Sequence, residues 1–274
     1  MKKLLLILLC LPLLFSCDGG MKEKLPDGDT DIFLYETYEY AEVFQGLESA
    51  NTYLRETAEV TAIDEEVINE KTTETTEGVT DLLAEIEADA SSFEEFASEN
   101  PLYAVLYPNV DQQNQLNPGP VVGFCAVKDT AALNVYLKDD AIRKFFPVDV
   151  KFAYTVKPYD PDGKFVQLVA LKSNRAGEAA MEGYDIIDAS QEFSQYTAFP
   201  EISISLSQDG AKEWKKLTAK NIGRSIAIVV DGFVYSYPTV QIEIIGGRFT
   251  ISGNWSLNES KELVKKIHKR KAHF

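Results

Sequence analysis

Cys17 lies in the sequence context that most clearly predicts covalent chemistry in this chain. A short basic region precedes an apolar run from 4 to 15. Ser16 follows the run and directly precedes the cysteine. This run is shorter than the ~20 residues that span a bilayer and suits a signal peptide, here residues 1–16. A small residue before a cysteine at the end of such a run resembles a lipobox, in which the cysteine is lipidated and becomes the new N-terminus. The alternative is an ordinary signal peptide with an incidental cysteine.

Few other residues are of a type that acts as a nucleophile or a metal ligand. Cys10 leaves with the signal peptide, so Cys125 is the remaining thiol and an internal disulfide is excluded. Its apolar neighbours predict a buried, inert side chain. The two histidines, His268 and His273, lie in a basic tail without a nearby cysteine or carboxylate cluster, which argues against a metal site. The sequence has no nucleophile elbow, phosphate loop or zinc-protease motif, so we expect no catalytic residue, no cofactor and no enzyme activity.

Acidic residues are concentrated in the first part of the chain. Residues 18–100 contain 24 Asp and Glu but 4 Lys and Arg, whereas residues 101–274 contain 19 and 21. This balance argues against nucleic acid as a partner, because phosphate binding needs a basic surface. The acidic region either attracts basic polypeptide segments or is a solvated helical surface. The basic tail at 265–271 either contacts anionic lipid headgroups or complements the C-terminal end of a helix.

Hydrophobic periodicity predicts alternating strands and helices in the C-terminal part of the chain. Ile202, Ile204 and Leu206 alternate with small polar residues, as in a strand with one buried face. Ser207 follows as an N-cap, and apolar residues at helical spacing predict an amphipathic helix over 208–220.

A hairpin and a capped helix complete this part. Asp231-Gly232 is the strongest two-residue hairpin pattern, because a tight primed turn needs positive φ at its centre. It joins predicted strands at 226–230 and 234–236. Further along we expect Pro238 at a strand exit, a turn at Gly246-Gly247, a strand over 249–252 and a helix over 257–270 that opens with the capping box Ser256-Leu257-Asn258-Glu259.

The acidic region is predicted to be mainly helical. Apolar side chains share one face of a helix near 40–60 and of a second helix near 79–90, with a polar linker at 72–78 between them. Beyond them we expect a short helix that starts with the capping box Ser92-Phe93-Glu94-Glu95 and ends at Pro101, strands at 102–107, 121–127, 150–156 and 165–171, a helix over 130–137 and a long polar loop at 108–120. Together these elements predict an α+β fold in which a mixed β-sheet carries helices packed on one face, preceded by an acidic helical region.

An ordered string of motifs runs through the C-terminal part. It comprises Asp209-Gly210-Ala211, Asn221-Ile222-Gly223-Arg224, the run 226–232, Ser236-Tyr237-Pro238, Gly246-Gly247 and Ile251-Ser252-Gly253-Asn254. This string resembles SecD and its fused form SecDF, membrane subunits of the bacterial Sec protein-export machinery. Looser similarity, including an entry strand at 34–38, extends the resemblance over roughly 31–268.

The resemblance implies the first large periplasmic domain of SecD, including its head. It assigns structural rather than catalytic roles to the matching residues, which are Asn221, Gly223, Arg224, Asp231, Gly232, Pro238, Gly246, Gly247 and Gly253. The membrane-spanning helices of the family have no counterpart after residue 16, where no apolar run approaches ~20 residues. We therefore expect a detached periplasmic domain without the proton-coupled motor.

The expected organisation has four parts. They are a lipoprotein signal peptide at 1–16, a flexible tether at 17–30, an acidic, mainly helical region with an entry strand at 31–98, and a SecD-head-like α+β domain at 99–274.

Two functions remain open at this point. The first is a lipid-anchored domain that assists Sec-dependent export by binding translocating or unfolded polypeptide. The second is an envelope scaffold or interaction lipoprotein that reuses the same fold. The expected partners are the membrane, through the lipid on Cys17, Sec translocon components and unfolded secretory polypeptides. The expected location is the periplasmic face of the inner membrane, with the outer membrane as the alternative.

Replacing Cys17 by Ala should release the protein from the membrane fraction, because the lipobox position then carries no thiol for acylation and the acyl chains supply the anchoring energy. Cell fractionation measures the release, and mass spectrometry of the wild-type N-terminal peptide should show acyl chains on Cys17. The Cys10→Ala variant is the control and should keep the lipid. Undiminished membrane association of Cys17→Ala, with an unmodified Cys17 in the wild-type protein, would contradict the lipidation hypothesis.

Overall fold

The computed structural model describes residues 32–66, 93–194 and 199–271. The strands are β1 (Ile32–Thr37), β2 (Tyr107–Pro108), β3 (Val121–Ala126), β4 (Val150–Tyr154), β5 (Phe165–Lys172), β6 (Met181–Glu182), β7 (Ile186–Phe193), β8 (Pro200–Leu206), β9 (Ile226–Val230), β10 (Phe233–Ser236) and β11 (Arg248–Ile251). The helices are α1 (Tyr40–Glu66), α2 (93–99), α3 (Thr130–Lys138), α4 (Asp140–Arg143), α5 (Gln208–Lys220) and α6 (Leu257–Lys271). The predicted α+β class is confirmed. Cys17, the linker at 72–78 and the helix near 79–90 lie outside the described residues.

β1 lies in the middle of the larger of two sheets. It pairs antiparallel with β9 along residues 32–36 and with β5 near its own C-terminal end. The eight strands follow the order β10-β9-β1-β5-β3-β2, with β4 on β5 and β6 on β1. A parallel bridge joins Thr155, just after β4, to Val234 in β10, the first strand of this order. The strands β5, β1, β9, β10 and β4 therefore form a closed, barrel-like sheet.

Alternate side chains of the closed sheet enter different cores, because successive residues of a strand point to opposite faces. Tyr35, Val169 and Val229 belong to a small inner core to which no described helix contributes. Leu34 and Leu168, on the opposite face, belong to two larger outer cores. One outer core includes α1, α3 and α4, and the other includes α5 and α6. The helices therefore pack on one face of the sheet, as the sequence predicted.

The smaller sheet has the order β11-β8-β7 and shares a core with the larger one. Ile202 and Ile204 of β8 pack in the same outer core as Ile32 and Leu34 of β1. This shared core joins the two sheets. The ladders among the described strands are antiparallel, and parallel pairing occurs there as isolated bridges.

Most predicted elements after residue 120 are confirmed. The strands at 121–127, 150–156, 165–171, 226–230, 234–236 and 249–252 and the helices over 130–137, 208–220 and 257–270 appear with shifts of one or two residues at their ends. The helix near 40–60 is also confirmed, as the first part of α1. β7 was not predicted, because its sequence alternates only weakly between apolar and polar residues.

The predicted strand at 102–107 is wrong, because most of this segment forms turns. Leu102 and Leu106 are both fully buried, and the Leu106 N–H donates to the Leu102 carbonyl at 2.9 Å, which is the spacing of one helical turn. The Leu102 N–H in turn donates to the side-chain oxygen of Asn51 at 3.1 Å. A short apolar run has no periodicity that separates a buried turn from a strand, and here the packing against α1 decides.

The predicted helix caps are confirmed by their hydrogen bonds. The Ser207 hydroxyl accepts from the Gly210 N–H at 3.0 Å at the start of α5. At α6 the Ser256 N–H donates to the Glu259 carboxylate at 2.7 Å, and the Glu259 N–H donates to the Ser256 hydroxyl at 3.3 Å. These reciprocal bonds form a complete capping box.

The hairpin between β9 and β10 generates a stability prediction. Asp231 and Gly232 both have positive φ, at 51° and 82°, as a primed turn requires. Gly232→Val should lower the free energy of unfolding by about 1–3 kcal/mol, because a β-branched residue is strained at positive φ. A Cβ at Gly232 would meet nothing within 4 Å, so backbone strain is the expected cause. Urea unfolding curves measure the change.

Gly246→Val is the matched control for this substitution. A Cβ at Gly246 would also meet nothing within 4 Å, but the φ of this residue is not positive. This variant should change stability by less than Gly232→Val. Equal unfolding free energies for the two variants would contradict the assigned turn.

Candidate functional site

The structure places Asn221 and its motif neighbours beside the junction of β1 and α1. Asn221 is buried at the C-terminal end of α5. Its side-chain amide donates to the Glu36 carboxylate at 2.9 Å and to the Leu217 carbonyl at 2.8 Å. Gly223 follows with φ of 83°, and its N–H donates to the Val240 carbonyl at 2.8 Å. The tight turn after α5 therefore holds the end of β1.

Arg224 extends this contact into the first turn of α1. Its guanidinium donates to the Thr37 carbonyl at 2.9 Å and to the Glu42 carboxylate at 2.5 Å and 3.3 Å. The hydrogen bond from Arg224 holds the pKa of Glu42 below its ordinary value. A bidentate pair of this kind fixes orientation as well as charge.

The other motif residues lie in turns and close contacts. Asp231 accepts a hydrogen bond from Lys266 at 2.9 Å, and the Pro238 carbonyl accepts one from the Ile226 N–H at 3.1 Å. Gly247 has φ of 59° and packs on Ala211, where a Cβ would come within 2.5 Å. These contacts fit the structural roles predicted for the motif residues, which stay predictions.

Two of the motif residues, Pro238 and Gly253, also line a groove on the surface. The groove consists of two adjoining depressions that share Thr155, Val156 and Pro158, the segment that continues β4 beyond the closed sheet. This segment forms a common wall of both depressions.

The larger depression is a cavity of about 1060 Å³ with mostly apolar walls. It lies between the start of α3, the beginning of β5 and the start of β10. Its lining includes Ala126, Val127, Lys128, Thr130, Ala131, Tyr154, Lys164, Phe165, Val166 and Phe233. Volumes of about 300–1,000 Å³ are typical of small-molecule sites, so this cavity is large enough for more than one side chain.

The smaller depression, of about 410 Å³, has aromatic walls. Tyr235 stacks on Trp255 with ring centroids 5.2 Å apart, and Lys157 lies 5.0 Å from the centre of the Trp255 ring. Tyr237 donates its hydroxyl proton to Gln167 at 2.8 Å. Trp255 itself is buried, whereas Tyr235 and Tyr237 are partly exposed, so this depression presents tyrosine rings with polar edges.

Lys157 connects the shared wall of the groove to α6. Its ammonium group donates to the Asn254 carbonyl at 2.6 Å and to the Glu259 carboxylate at 2.8 Å. The hydrogen bond from Lys157 is the main cause that lowers the pKa of Glu259 to about 2.

In the described part of the chain, the thiol is that of Cys125 and the imidazole is that of His268. Cys125 is buried, and burial raises the pKa of its thiol to about 12, which suits the inert side chain predicted for it. Within residues 32–66, 93–194 and 199–271, no group of three or more His, Cys, Asp and Glu could hold a metal ion. His268 instead contacts the Ala189 carbonyl at 2.7 Å.

Comparison with known proteins finds a family match for the part of the chain that supplies most of the groove's lining residues. Residues 159–269 match the family model described as SecDF, P1 head subdomain. This segment is similar to the P1 head subdomain of SecDF. The resemblance predicted from the motif string is confirmed.

One relative matches a longer stretch of this chain than the family model does. The protein translocase subunit SecD of Rhodothermus marinus is 35% identical over 165 residues, which are 60% of this chain and 25% of that protein. The protein translocase subunit SecDF of Thermus thermophilus is 36% identical over 94 residues, 34% of this chain and 13% of that protein. The chain therefore spans about a quarter or less of these relatives.

A solved structure titled "Structure and function of a membrane component SecDF that enhances protein export" is 19% identical, with a TM-score of 0.33. The match covers 88% of this chain and 93% of that one. In the described residues, no helix combines the length and apolar character needed to cross a membrane.

Sequence reasoning missed the groove. Its walls come from five separate segments of the chain. In the sequence, apolar residues such as Val127 and Phe233 do not differ from the other apolar residues of strands and helices. Asn254 lay in the motif string, but no local pattern linked it to Lys157, 97 positions away.

The Lys157–Glu259 pair predicts a pH dependence of stability. Because the pKa of Glu259 is lowered from 4.5 to about 2, the pair stabilises the folded state above pH 4.5, and this contribution is lost as pH falls toward 2. Both side chains are partly exposed, so the contribution is about 1 kcal/mol or less. Glu259→Gln should therefore flatten the fall in unfolding free energy over this range.

Glu262→Gln is the control on the same helix, where the ion pair with Lys265 is mostly exposed on both sides. Denaturant titrations at several pH values compare the variants with wild type. The assignment is contradicted if Glu259→Gln and wild type lose the same stability on acidification.

Proposed function

We propose that this protein is a lipid-anchored SecD-like periplasmic domain that assists Sec-dependent export by binding translocating or unfolded polypeptide. The observation that carries the proposal is the groove beside the bridge that closes the sheet. Its walls include apolar and aromatic side chains, and it extends over two adjoining depressions. The similarity to the SecDF head and to a protein translocase subunit also supports a role in export.

The walls of the groove suit an extended chain of varied sequence. The larger depression offers apolar surface, and the smaller one offers the partly exposed rings of Tyr235 and Tyr237, with polar edges such as the Tyr237 hydroxyl. Burial of apolar side chains then gives affinity without a fixed sequence, since it scales with area and has no direction. We infer weak, sequence-tolerant binding of unfolded secretory proteins.

Binding alone can assist export without proton coupling. A segment held on the outer side slides back less readily, so each capture event favours forward movement. We place the protein at the periplasmic face of the inner membrane, held by the lipid on Cys17, with Sec translocon components as neighbours. In this proposal it has no catalytic activity and needs no cofactor.

A photoreactive amino acid in the groove tests the proposal in cells. Placed at Tyr159, which lines the smaller depression and is 66% exposed, it should form adducts with secretory precursors during export. Placed at Val148, which is 92% exposed and precedes β4 at the end away from the groove, it should form few. A strain that lacks the gene should secrete more slowly under export stress.

Two other outcomes are informative. Adducts to one fixed envelope protein, with none to precursors, would favour the alternative of an envelope scaffold. If the purified chain binds no unfolded polypeptide and the deletion strain secretes normally, the export proposal is wrong.

A further inference from the structure

We propose that the larger depression of the groove is a side-chain pocket that selects large apolar residues next to an acidic residue in the bound polypeptide. This inference rests on the proposed function and specifies its substrate class. It concerns the 1060 Å³ cavity between α3, the start of β5 and β10.

The walls of the cavity favour large apolar side chains. Val127 is half exposed, and Phe165, Val166 and Phe233 are only partly buried, so apolar surface in this cavity remains open to solvent. Ala131 presents a small side chain on the α3 wall, which leaves space there. A phenylalanine or leucine that enters would remove apolar area on both partners from water.

The charges of the cavity favour a carboxylate beside that apolar residue. Among the described residues that line it, the charged ones are Lys128 and Lys164, and both are exposed. Lys164 pairs with Asp162 at 3.1 Å in an exposed bridge, whereas Lys128 forms no ion pair with any described residue. Asp160 lies nearby, and its carboxylate is held by the N–H groups of Lys164 and Phe165 in the loop before β5. The Lys128 charge is therefore available to a ligand, whereas Asp162 partly offsets the Lys164 charge.

Short unstructured peptides of matched composition test the pocket with the full chain carrying Cys17→Ala. One peptide has a central Phe-Asp, a second has Phe-Lys and a third has Ser-Asp. Fluorescence anisotropy should show Phe-Asp binding about tenfold tighter than Ser-Asp, from burial of the ring. It should bind about threefold tighter than Phe-Lys, with the difference shrinking at high salt.

Two alanines at the start of α3 provide a matched pair of variants. Ala131 lines the cavity, while the neighbouring Ala132 is exposed and does not. Ala131→Trp should fill the cavity and weaken Phe-Asp binding about tenfold, to the level of Ser-Asp, whereas Ala132→Trp should leave it unchanged. The double variant Lys128→Gln and Lys164→Gln should lose the preference for Asp over Lys while it keeps the preference for Phe.

An anionic aromatic dye, anilinonaphthalene sulfonate, gives a readout that needs no peptide. Its fluorescence with the protein should fall in Ala131→Trp and persist in Ala132→Trp. Peptides that bind with equal affinity whatever their central residues, or that ignore Ala131→Trp, overturn the pocket and leave the proposed function standing. Dye binding that Ala131→Trp does not reduce also overturns it. If the dye responds as expected but no peptide binds, polypeptide recognition fails and with it the substrate assignment.

Discussion

The pairing of β1 is the constraint on which the rest of the structure depends. This strand lies between β9 and β5 in the closed sheet. It therefore joins a strand from the C-terminal part of the chain to one from its middle. Its alternate residues also separate the cores, since Leu34 packs with the smaller sheet and Tyr35 faces the inside of the closed sheet. A strand that enters from the N-terminal end of the described chain thereby fixes elements almost 200 positions away, at the entropic cost of a long loop.

The turn after α5 secures that strand at its exit. Asn221 binds Glu36, and Arg224 binds the Thr37 carbonyl and Glu42. Although burial favours the neutral carboxyl, hydrogen bonds from Asn221 and Lys220 hold the pKa of Glu36 below its ordinary value. The exposed ion pair with Glu42 contributes little stability alone, whereas a buried amide left without its partners would be costly. The turn therefore sets geometry more than it supplies energy.

The groove is a consequence of how the sheet closes. Thr155 bridges Val234, and the Val156 N–H donates to the Val234 carbonyl at 3.0 Å, so the segment after β4 is held against β10. The same segment then separates an apolar depression from an aromatic one, and Lys157 ties it to α6. A wall held by backbone pairing is already ordered before a ligand arrives, which lowers the entropy cost of the proposed binding.

The sequence by itself determined most local elements and the resemblance to SecD and SecDF. Periodicity and turn chemistry act over a few residues, so α5, the Asp231-Gly232 hairpin and the Ser256 capping box were predictable. The motif string likewise predicted the similarity to the SecDF head. Only the tertiary structure decided that 102–107 forms buried turns, that β1 is central and that the sheet closes through Thr155 and Val234. These features, and the groove they create, depend on contacts between residues far apart in the chain, which no local pattern encodes.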